Sequence, residues 1–399
     1  MKNNKYYGII ILKMICGFDV KKGVFVRISW SAETQKFVTD QPKPLRESGQ
    51  EFTIIFLRNT GGSDYKTLLE GVDYKIMTES NPSKFTWFYG FLTGIFMSRL
   101  IGEGGDDYNL LRSLPKHVKG TELDYPICQD RWAELGGHFC KRKLNIKYVV
   151  IIQELVSCIQ WVRCIKRIFA YLALGWQKRV LYNADRIFAE TARVTKTVKD
   201  FLIVDIMDVF LGLKNNPLYN YRARKNQIVF ISHWNEVKSP KTYIPLFKDT
   251  KCYNPVIARN RISLKHRNRL IDGMLNERVI DKFATIYNMI EYRKLAPLYE
   301  SKFSTRFGQE ENGPYYGIVE IPEARIPIVC NKPEISDNPV NRCFDLVLDD
   351  ASETGGVGDF INLNDNENKF NALQSDTEAI MSKFPWQRHA SGLIASITG

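Results

Sequence analysis

The chain has 399 residues, of which 44% are hydrophobic and 25% charged, an ordinary globular composition that excludes a disordered, collagen-like or coiled-coil protein. At roughly 150 residues per domain, the length predicts two domains. The formal net charge of +12 is uneven, with 48 basic and 29 acidic residues in 1–300 but 8 and 15 in 301–399. A basic surface predicts an anionic partner, which can be a phosphate-bearing ligand, an acidic lipid surface or nucleic acid.

The eight cysteines form no CxxC pair, which favours buried or free thiols of a cytoplasmic protein. Cys128, His138 and Cys140 are a partial set of zinc ligands, but tetrahedral zinc sites usually show tighter paired spacing. No signal peptide is predicted. The apolar run 85–101 is short against the ~20 residues of a membrane-spanning helix, and it favours a buried helix.

The first half alternates between strand and helix patterns. The predicted strands are 6–16, 52–58, 146–152 and 184–190, and the predicted helices are 24–37, 153–182 and 191–202. A turn with Gly17, Lys22 and Gly23 separates the first strand from the first helix, which rests on the spacing of Val24, Val26 and Ile28. This order predicts an α/β fold that opens with a Rossmann-like domain.

A turn-rich stretch, 212–225, contains Asn215-Asn216-Pro217 and predicts a domain boundary. The predicted domains are 1–213, 214–384, and a final helix, 385–399, that packs back on the first domain. The predicted elements of the second half are strands over 227–232, 325–330 and 360–363, helices near 240–248 and 291–302, a glycine-rich loop over 352–359 and two helices within 370–396. A basic stretch, 259–269, interrupts them.

Several catalytic signatures do not occur in the sequence. The absence of GxxxxGK[ST], HExxH, GxSxG and GxGxxG disfavours P-loop enzymes, zincin proteases, α/β-hydrolases and dinucleotide-binding enzymes.

Four stretches, in order along the chain, carry a family resemblance: ADRIFAETARVTKTVKDF (184–201), IVFISHWNEVKSPKTYI (228–244), the segment 294–330 with GPYYGIVEIPEARIPIVC, and the segment 355–393 from GGVGDFINL to FPWQRHASGL. Together they resemble a retaining glycosyltransferase of family 4. The resemblance implies the GT-B architecture, two Rossmann-like domains that face a cleft. It also implies transfer of a sugar from a nucleotide diphosphate donor to a glycan or lipid-linked acceptor, in polysaccharide or glycolipid biosynthesis.

The resemblance assigns two residues to catalysis. Lys238 falls on the family lysine that contacts the donor diphosphate, and Glu323 falls on the second glutamate of the E-x7-E motif, which holds the donor ribose. His233 stands where the family has an arginine. Tyr315 stands at the first glutamate, for which Glu311 or Glu320 can substitute in a shifted loop. Without a metal, the charge of the diphosphate falls to basic side chains and a helix N-terminus. No metal and no resident cofactor are predicted.

On the acceptor side, Lys22-Gly23 resembles a reduced form of the family's Gly-Gly loop, and Gln153 falls where many members have a histidine. The departures from the family pattern leave a second function open, a catalytically impaired homologue that binds nucleotide or glycan or serves as a partner subunit. A third function, binding of nucleic acid, is disfavoured because no recognition motif occurs.

Plainer interpretations stay open beside these assignments. Lys238 can be a solvated surface lysine, and Glu323 an acidic residue at a helix start. The glycines of the loop over 352–359 can form a simple turn. A basic helical pattern with Trp161 and Trp176 can be a solvated face or can dock on an anionic membrane, and its cations are Arg163, Lys166, Arg167, Lys178 and Arg179. We therefore expect a cytoplasmic protein, peripheral on the inner face of a membrane.

Overall fold

A computed structural model describes a large part of the chain. The described residues are 22–29, 42–47, 51–58, 74–76, 105–120, 125–129, 133–152, 165–190, 192–208, 221–231, 253–259, 285–288, 298, 300–306, 325–331, 346–348, 361 and 365–398. The chain divides into two compact units. Unit 1 comprises Met1–Gly212 and Trp386–Gly399, and unit 2 comprises Leu213–Pro385. The last segment thus belongs to unit 1, although it follows unit 2 in the sequence.

Unit 1 is built on a seven-stranded parallel sheet with helices along the chain. Its strands are β1 (Lys22–Ser29), β2 (Glu51–Arg58), β3 (Tyr74–Ile76), β4 (Tyr125–Gln129), β5 (Val149–Ile152), β6 (Arg186–Ala189) and β7 (Ile206–Asp208), in the order β3-β2-β1-β4-β5-β6-β7. Its helices are α1 (Pro42–Glu47), α2 (Gly105–Val118), α3 (Ala133–Leu144), α4 (Ile165–Tyr182), α5 (Ala192–Phe201) and α7 (Trp386–Thr398). This is a doubly wound arrangement, in which β1 is the first strand of the described residues and the strand order reverses between β1 and β4.

The described interior of unit 1 is mainly apolar, with a few buried polar side chains such as Glu134 and Gln177. The four residues of β5 are all buried, as expected for a strand covered on both faces by helices. Around β5, one cluster of buried side chains extends from Leu111 and Leu114 of α2 to Ile206 of β7. The fully buried ring of Tyr148 lies in it and donates a hydrogen bond from its hydroxyl to the carbonyl of Val180.

Unit 2 is built on a six-stranded parallel sheet. Its strands are β8 (Lys225–Ile231), β9 (Asn254–Arg259), β10 (Thr285–Asn288), β11 (Ser301–Arg306), β12 (Ile328–Asn331) and β13 (Leu346–Leu348), in the order β10-β9-β8-β11-β12-β13. A 3₁₀ turn over Tyr221–Ala223 precedes β8, and helix α6 (Glu367–Met381) closes the unit. Helix α6 begins with Asn366, whose side chain accepts a hydrogen bond from the amide of Lys369 at 3.0 Å.

Many predicted elements are confirmed. The strands predicted over 52–58, 146–152, 184–190, 227–232 and 325–330 correspond to β2, β5, β6, β8 and β12. The helices predicted over 153–182, 191–202 and 370–396 correspond to α4, α5 and the pair α6 and α7. The patterns of β5 and β8 are continuous apolar runs, and those of α4, α6 and α7 are long, which makes these elements the plainest to predict.

Three predicted elements are wrong where the structure describes them. The predicted helix 24–37 is strand β1 up to Ser29, because Val24, Val26 and Ile28 recur every second residue, which is the period of a strand. The predicted helix 291–302 ends in the first residues of β11. Ile361, within the strand predicted over 360–363, is helical. The strand predicted over 6–16, the helix near 240–248 and the glycine-rich loop lie outside the described residues.

Candidate functional site

The edge of the unit 2 sheet where its strands end is the natural position for a ligand. Strand β8 lies between β9 and β11, so the chain first adds β9 and β10 on one side and then crosses to the other. In open parallel sheets, ligands bind in the crevice outside the carboxyl ends of the strands at such a reversal. In unit 2 the crevice would lie beyond Ile231 of β8 and Arg306 of β11.

The predicted donor residues follow these strand ends in the sequence. His233 and Lys238 come after β8, and Glu311 comes after β11. Glu320 and Glu323 lie on the connection from β11 to β12. All five lie outside the described residues, so their roles remain predictions.

Two arginines that sequence reasoning did not assign to the site end the strands on either side of β8. Arg259 is the last residue of β9, and Arg306 is the last residue of β11. Both residues are therefore at the ends of the strands that flank the reversal. The sequence indicates these two strand ends only weakly. Arg259 is the first residue of a longer basic stretch, and the segment before Arg306 has a helical pattern.

Unit 1 has its own reversal, between β1 and β4. Gln153 follows the last residue of β5 in the sequence and lies outside the described residues. Lys22 and Gly23 were expected in a turn, but they begin β1 and pair with Glu51 and Tyr125 at the starts of β2 and β4. This is the amino edge of the sheet. The predicted turn is therefore wrong, since the alternating apolar residues that follow them belong to the same strand, while their role in substrate binding stays a prediction.

A buried polar pair lies at the carboxyl edge of unit 1. Gln129 is the last residue of β4 and Glu190 follows β6, and the two are 0% and 2% exposed. Gln129 donates from Nε2 to Oε1 of Glu190 at 2.8 Å, and the amide of Glu190 donates to the carbonyl of Ile152 at the end of β5. A carboxylate is thus held beside the strand that leads into Gln153. Sequence reasoning missed the pair, because each residue is a single polar position at the end of an apolar run.

The amino edge of unit 2 carries a cavity of about 480 Å³, lined by Tyr221, Arg222, Arg224, Lys225, Asn226, Gln227, Asn254 and Lys302. Lys302 donates from Nζ to Oδ1 of Asp365 at 2.9 Å, and the Tyr221 hydroxyl donates to the same oxygen at 2.6 Å. Burial alone would raise the pKa of Asp365, but the hydrogen bonds from Tyr221 and Lys302 lower it below its usual value. The carboxylate of Asp365 therefore connects Tyr221 and Lys302 to the start of α6.

Two buried cations stabilise the same part of unit 2. Arg224 donates to the carbonyl of Ser301 at 2.9 Å and to that of Arg325 at 3.2 Å, and Gln374 of α6 also donates to the carbonyl of Arg325, at 2.8 Å. Arg325 is 1% exposed, and its φ of 56° lies in the left-handed region. Its guanidinium lies 3.5 Å from a carboxylate oxygen of Glu378. These contacts fix the chain immediately before β12.

The partial zinc set is not assembled as a metal site. Cys128 and Cys140 are buried and free, and within the described ranges no three metal-binding side chains come together. Burial raises the pKa of Cys140 to about 12 and that of Cys128 well above its usual value. Burial also lowers the pKa of His138, and the charges of nearby cations lower it further. Both thiols are therefore neutral core side chains.

The predicted basic helical face is only partly described. Trp161 and Arg163 lie outside the described residues, and Lys166 and Arg167 lie in the first turn of α4. Trp176 packs against the apolar cluster, while Arg179 is exposed near the helix end. In the part of the chain that the structure covers, no helix has the length and apolar content needed to cross a membrane.

Comparison with known proteins finds likeness in structure but not in sequence. No protein-family model and no curated protein sequence matches the chain. HepE from Anabaena, in complex with UDP and glucose, is similar with a TM-score of 0.68 and 11% identity, over 94% of this chain and 99% of HepE. Sucrose-phosphate synthase from Thermosynechococcus elongatus is similar with a TM-score of 0.68 and 11% identity, over 94% of this chain and 97% of the synthase.

A third solved structure, a trehalose-phosphate synthase from Burkholderia vietnamiensis, has a TM-score of 0.63 and 10% identity, over 94% of this chain and 96% of the synthase. These neighbours are GT-B glycosyltransferases. With its two doubly wound parallel sheets, the chain is an α/β protein of the GT-B fold.

Proposed function

We propose that this protein is a retaining glycosyltransferase, similar to family 4, that transfers a sugar from a nucleotide diphosphate donor to a glycan or lipid-linked acceptor. The observation that carries the proposal is the likeness over 94% of the chain to HepE, whose structures hold UDP with glucose or UDP-glucose. Unit 2 is the donor unit in this proposal, because the family-like residues cluster in its sequence.

The donor diphosphate is held at the carboxyl edge of unit 2. As the sugar leaves, negative charge builds on the diphosphate, and nearby cations stabilise it. Lys238 is the first such cation, and His233 is a further hydrogen-bond donor. Arg259 and Arg306 add two formal charges at the ends of the neighbouring strands. Glu323 accepts hydrogen bonds from the ribose hydroxyls, with Glu311 or Glu320 as the second carboxylate.

The acceptor is held by unit 1 in this proposal. Gln153 follows β5, and the buried Gln129–Glu190 pair connects the ends of the strands on either side, so the pair can position the strand end that carries Gln153. The amide of Gln153 then hydrogen-bonds to a sugar hydroxyl. The protein acts on the cytoplasmic side of a membrane, where nucleotide sugars and a lipid-linked acceptor meet.

The test is the release of nucleoside diphosphate from a panel of UDP and GDP sugars, with glycan and lipid extracts as acceptors. Lys238→Ala should lower the rate of release by roughly 10² to 10³, the usual effect of removing one group that stabilises a developing oxyanion. Lys225→Ala is the matched control, since Lys225 is exposed at the amino edge of the same sheet. Equal losses in both variants, or no release from any donor, would contradict the proposal.

A second candidate function is binding of a nucleotide or glycan without transfer. The residues that favour it are His233 and Tyr315, which stand where the family has an arginine and a glutamate. Saturable binding of a nucleotide sugar, with no product from any acceptor, is the result expected of such a homologue.

A further inference from the structure

The amino edge of unit 1 carries a dense basic surface. The segments 141–147 and 178–186 hold seven basic residues and one acidic residue, Asp185. We call these seven the basic edge, and they are Lys141, Arg142, Lys143, Lys147, Lys178, Arg179 and Arg186. The first three lie in the last turn of α3, and Lys178 and Arg179 lie near the end of α4.

The two segments form one surface. Lys141 donates from Nζ to the carbonyl of Asn183 at 2.8 Å and to Oδ1 of Asp185 at 2.9 Å. The other carboxylate oxygen of Asp185 accepts from the amide of Tyr148 at 3.0 Å. The pKa of His138 is lowered by burial and by the positive charges of Lys141, Arg142 and Arg179, so cations of both helices lie near this ring. Arg142 and Arg179 are exposed.

Helix dipoles account for only part of this arrangement. Cations near the ends of α3 and α4 are favoured by the negative ends of the helix dipoles. Lys147 and Arg186, however, lie outside the helices, just before β5 and at the start of β6, and both are exposed. The basic edge therefore has more cations than the two helix dipoles explain, and this surplus of positive charge favours an anionic partner.

Two exposed apolar side chains lie beside the basic edge. Ile203 is 95% exposed, and Tyr182 is 46% exposed. The amide of Ile203 donates to the Tyr182 hydroxyl at 3.4 Å, and Nζ of Lys178 lies 5.8 Å from the centre of the Tyr182 ring. Asp200 and Asp205 are exposed on either side of Ile203, so the positive charge is concentrated on the side of α3 and α4.

We propose that the basic edge, with Tyr182 and Ile203, docks unit 1 on an anionic lipid bilayer. Basic residues near such a surface are attracted to its phosphates. Tyrosine suits the headgroup region, because its ring is apolar and its hydroxyl is polar. An aliphatic side chain at 95% exposure gains from hydrocarbon but not from a nucleic acid, and this favours lipid as the partner.

The proposal goes beyond sugar transfer, because docking requires no nucleotide sugar. It also orients unit 1. The carboxyl edge of the sheet, with Gln129 and Glu190, faces away from the bilayer when the amino edge is docked. An acceptor anchored in the same membrane then has to extend along the length of the strands to reach the carboxyl edge. This favours a long glycan over a short lipid headgroup as the acceptor.

The experiment is flotation of the full chain with phosphatidylcholine vesicles, with and without phosphatidylglycerol, in the absence of nucleotide sugar. We expect binding only to the mixed vesicles, and weaker binding at high salt. The double substitution Arg142→Glu with Arg179→Glu should lower binding by about thirtyfold or more, since each basic residue contributes about fivefold. Ile203→Ser should lower it by a smaller factor without changing the net charge.

The matched control is Lys369→Glu with Lys383→Glu, which changes the net charge equally at exposed positions in and after α6. An equal loss in this control would overturn the assignment to the basic edge. Equal binding to vesicles without phosphatidylglycerol, or no binding to either kind of vesicle, would overturn the lipid partner. So would displacement of the protein from the vesicles by random DNA at constant salt, if Ile203→Ser also left vesicle binding unchanged. Circular dichroism confirms that each variant is folded.

Discussion

The two units share one plan of strands but stabilise it differently. In each unit, the first described strand lies inside the sheet and the strand order reverses beside it. The described interior of unit 1 has an apolar cluster around β5 and two buried carboxylates, Glu134 and Glu190, each of which accepts a hydrogen bond from a glutamine. In unit 2, buried cations at the amino edge, Arg224, Lys302 and Arg325, connect the strands to α6 through carbonyls and a carboxylate. The comparison teaches that one topology tolerates buried carboxylates in one unit and buried cations in the other.

The largest effect is expected from Arg224→Met. The substitution removes two hydrogen bonds from a charged donor to buried carbonyls, so we expect unfolding of unit 2 to become easier by about 3 kcal/mol. Arg222→Met is the control, because its ion pair with Glu367 is exposed and should change stability by less than about 1 kcal/mol. Hydrogen exchange in α6 measures the difference. Equal exchange in the two variants would show that the buried cation does not stabilise the unit.

The stability of unit 1 should instead be sensitive to side-chain volume added near its apolar cluster. In Gly137→Ala, the new Cβ would lie 2.5 Å from a ring carbon of Tyr148 and 2.7 Å from the sulfur of Cys128. We expect a loss of roughly 1–3 kcal/mol in the free energy of unfolding. Gly175→Ala in α4 meets open space and should gain about 0.5–1 kcal/mol, because alanine favours helix. Thermal denaturation separates the two, and a loss of stability in both would refute the packing argument.

A smaller effect isolates the backbone of unit 2. Arg325→Gly and Arg325→Ala remove the same contacts, but only glycine adopts a φ of 56° without strain. The glycine variant should be more stable than the alanine variant by roughly 1–2 kcal/mol. Chemical denaturation of the pair is the measurement. Equal midpoints would show that the left-handed conformation costs nothing at this position.

The smallest effect is a dependence on pH. The folded pKa of Asp365 is lowered, so its carboxylate stabilises the fold fully above the unfolded pKa of about 4. This contribution is lost as pH falls below that value through the folded pKa. Asp365→Asn should therefore flatten the fall in stability below about pH 4. Acid titration by circular dichroism tests it, and an unchanged slope would mean that Asp365 does not titrate with folding.

More of the fold than of the candidate site can be predicted from the sequence. Strands such as β5 and β8 are continuous β-branched runs, and α6 and α7 are long, so their patterns identify them. The pattern of β1 predicts a helix wrongly, because Val24, Val26 and Ile28 alternate with period two and are followed by polar residues, which resembles one face of a helix. Strand β11 was missed since SKFSTR carries lysine and arginine, and Lys302 is buried only through its contacts with Asp365 and Tyr221. Partners distant in sequence supply such contacts.

The site depends even more on contacts between distant residues. Gln129 and Glu190 are separated along the chain, and only the parallel order of β4, β5 and β6 brings their side chains together. Arg224, Ser301 and Arg325 meet in the same way. The roles of Lys238 and Glu323 rest on the family resemblance and remain predictions.

The most direct test of the central claim compares the two edges of one sheet. Calorimetric titration with UDP should show saturable binding to the full chain, weakened at least about tenfold in Lys238→Ala by the loss of one charge-assisted hydrogen bond. Lys225→Ala, at the amino edge, should bind as tightly as the unaltered chain. Absence of UDP binding, or equal weakening in both variants, would contradict a donor site at the carboxyl edge of unit 2.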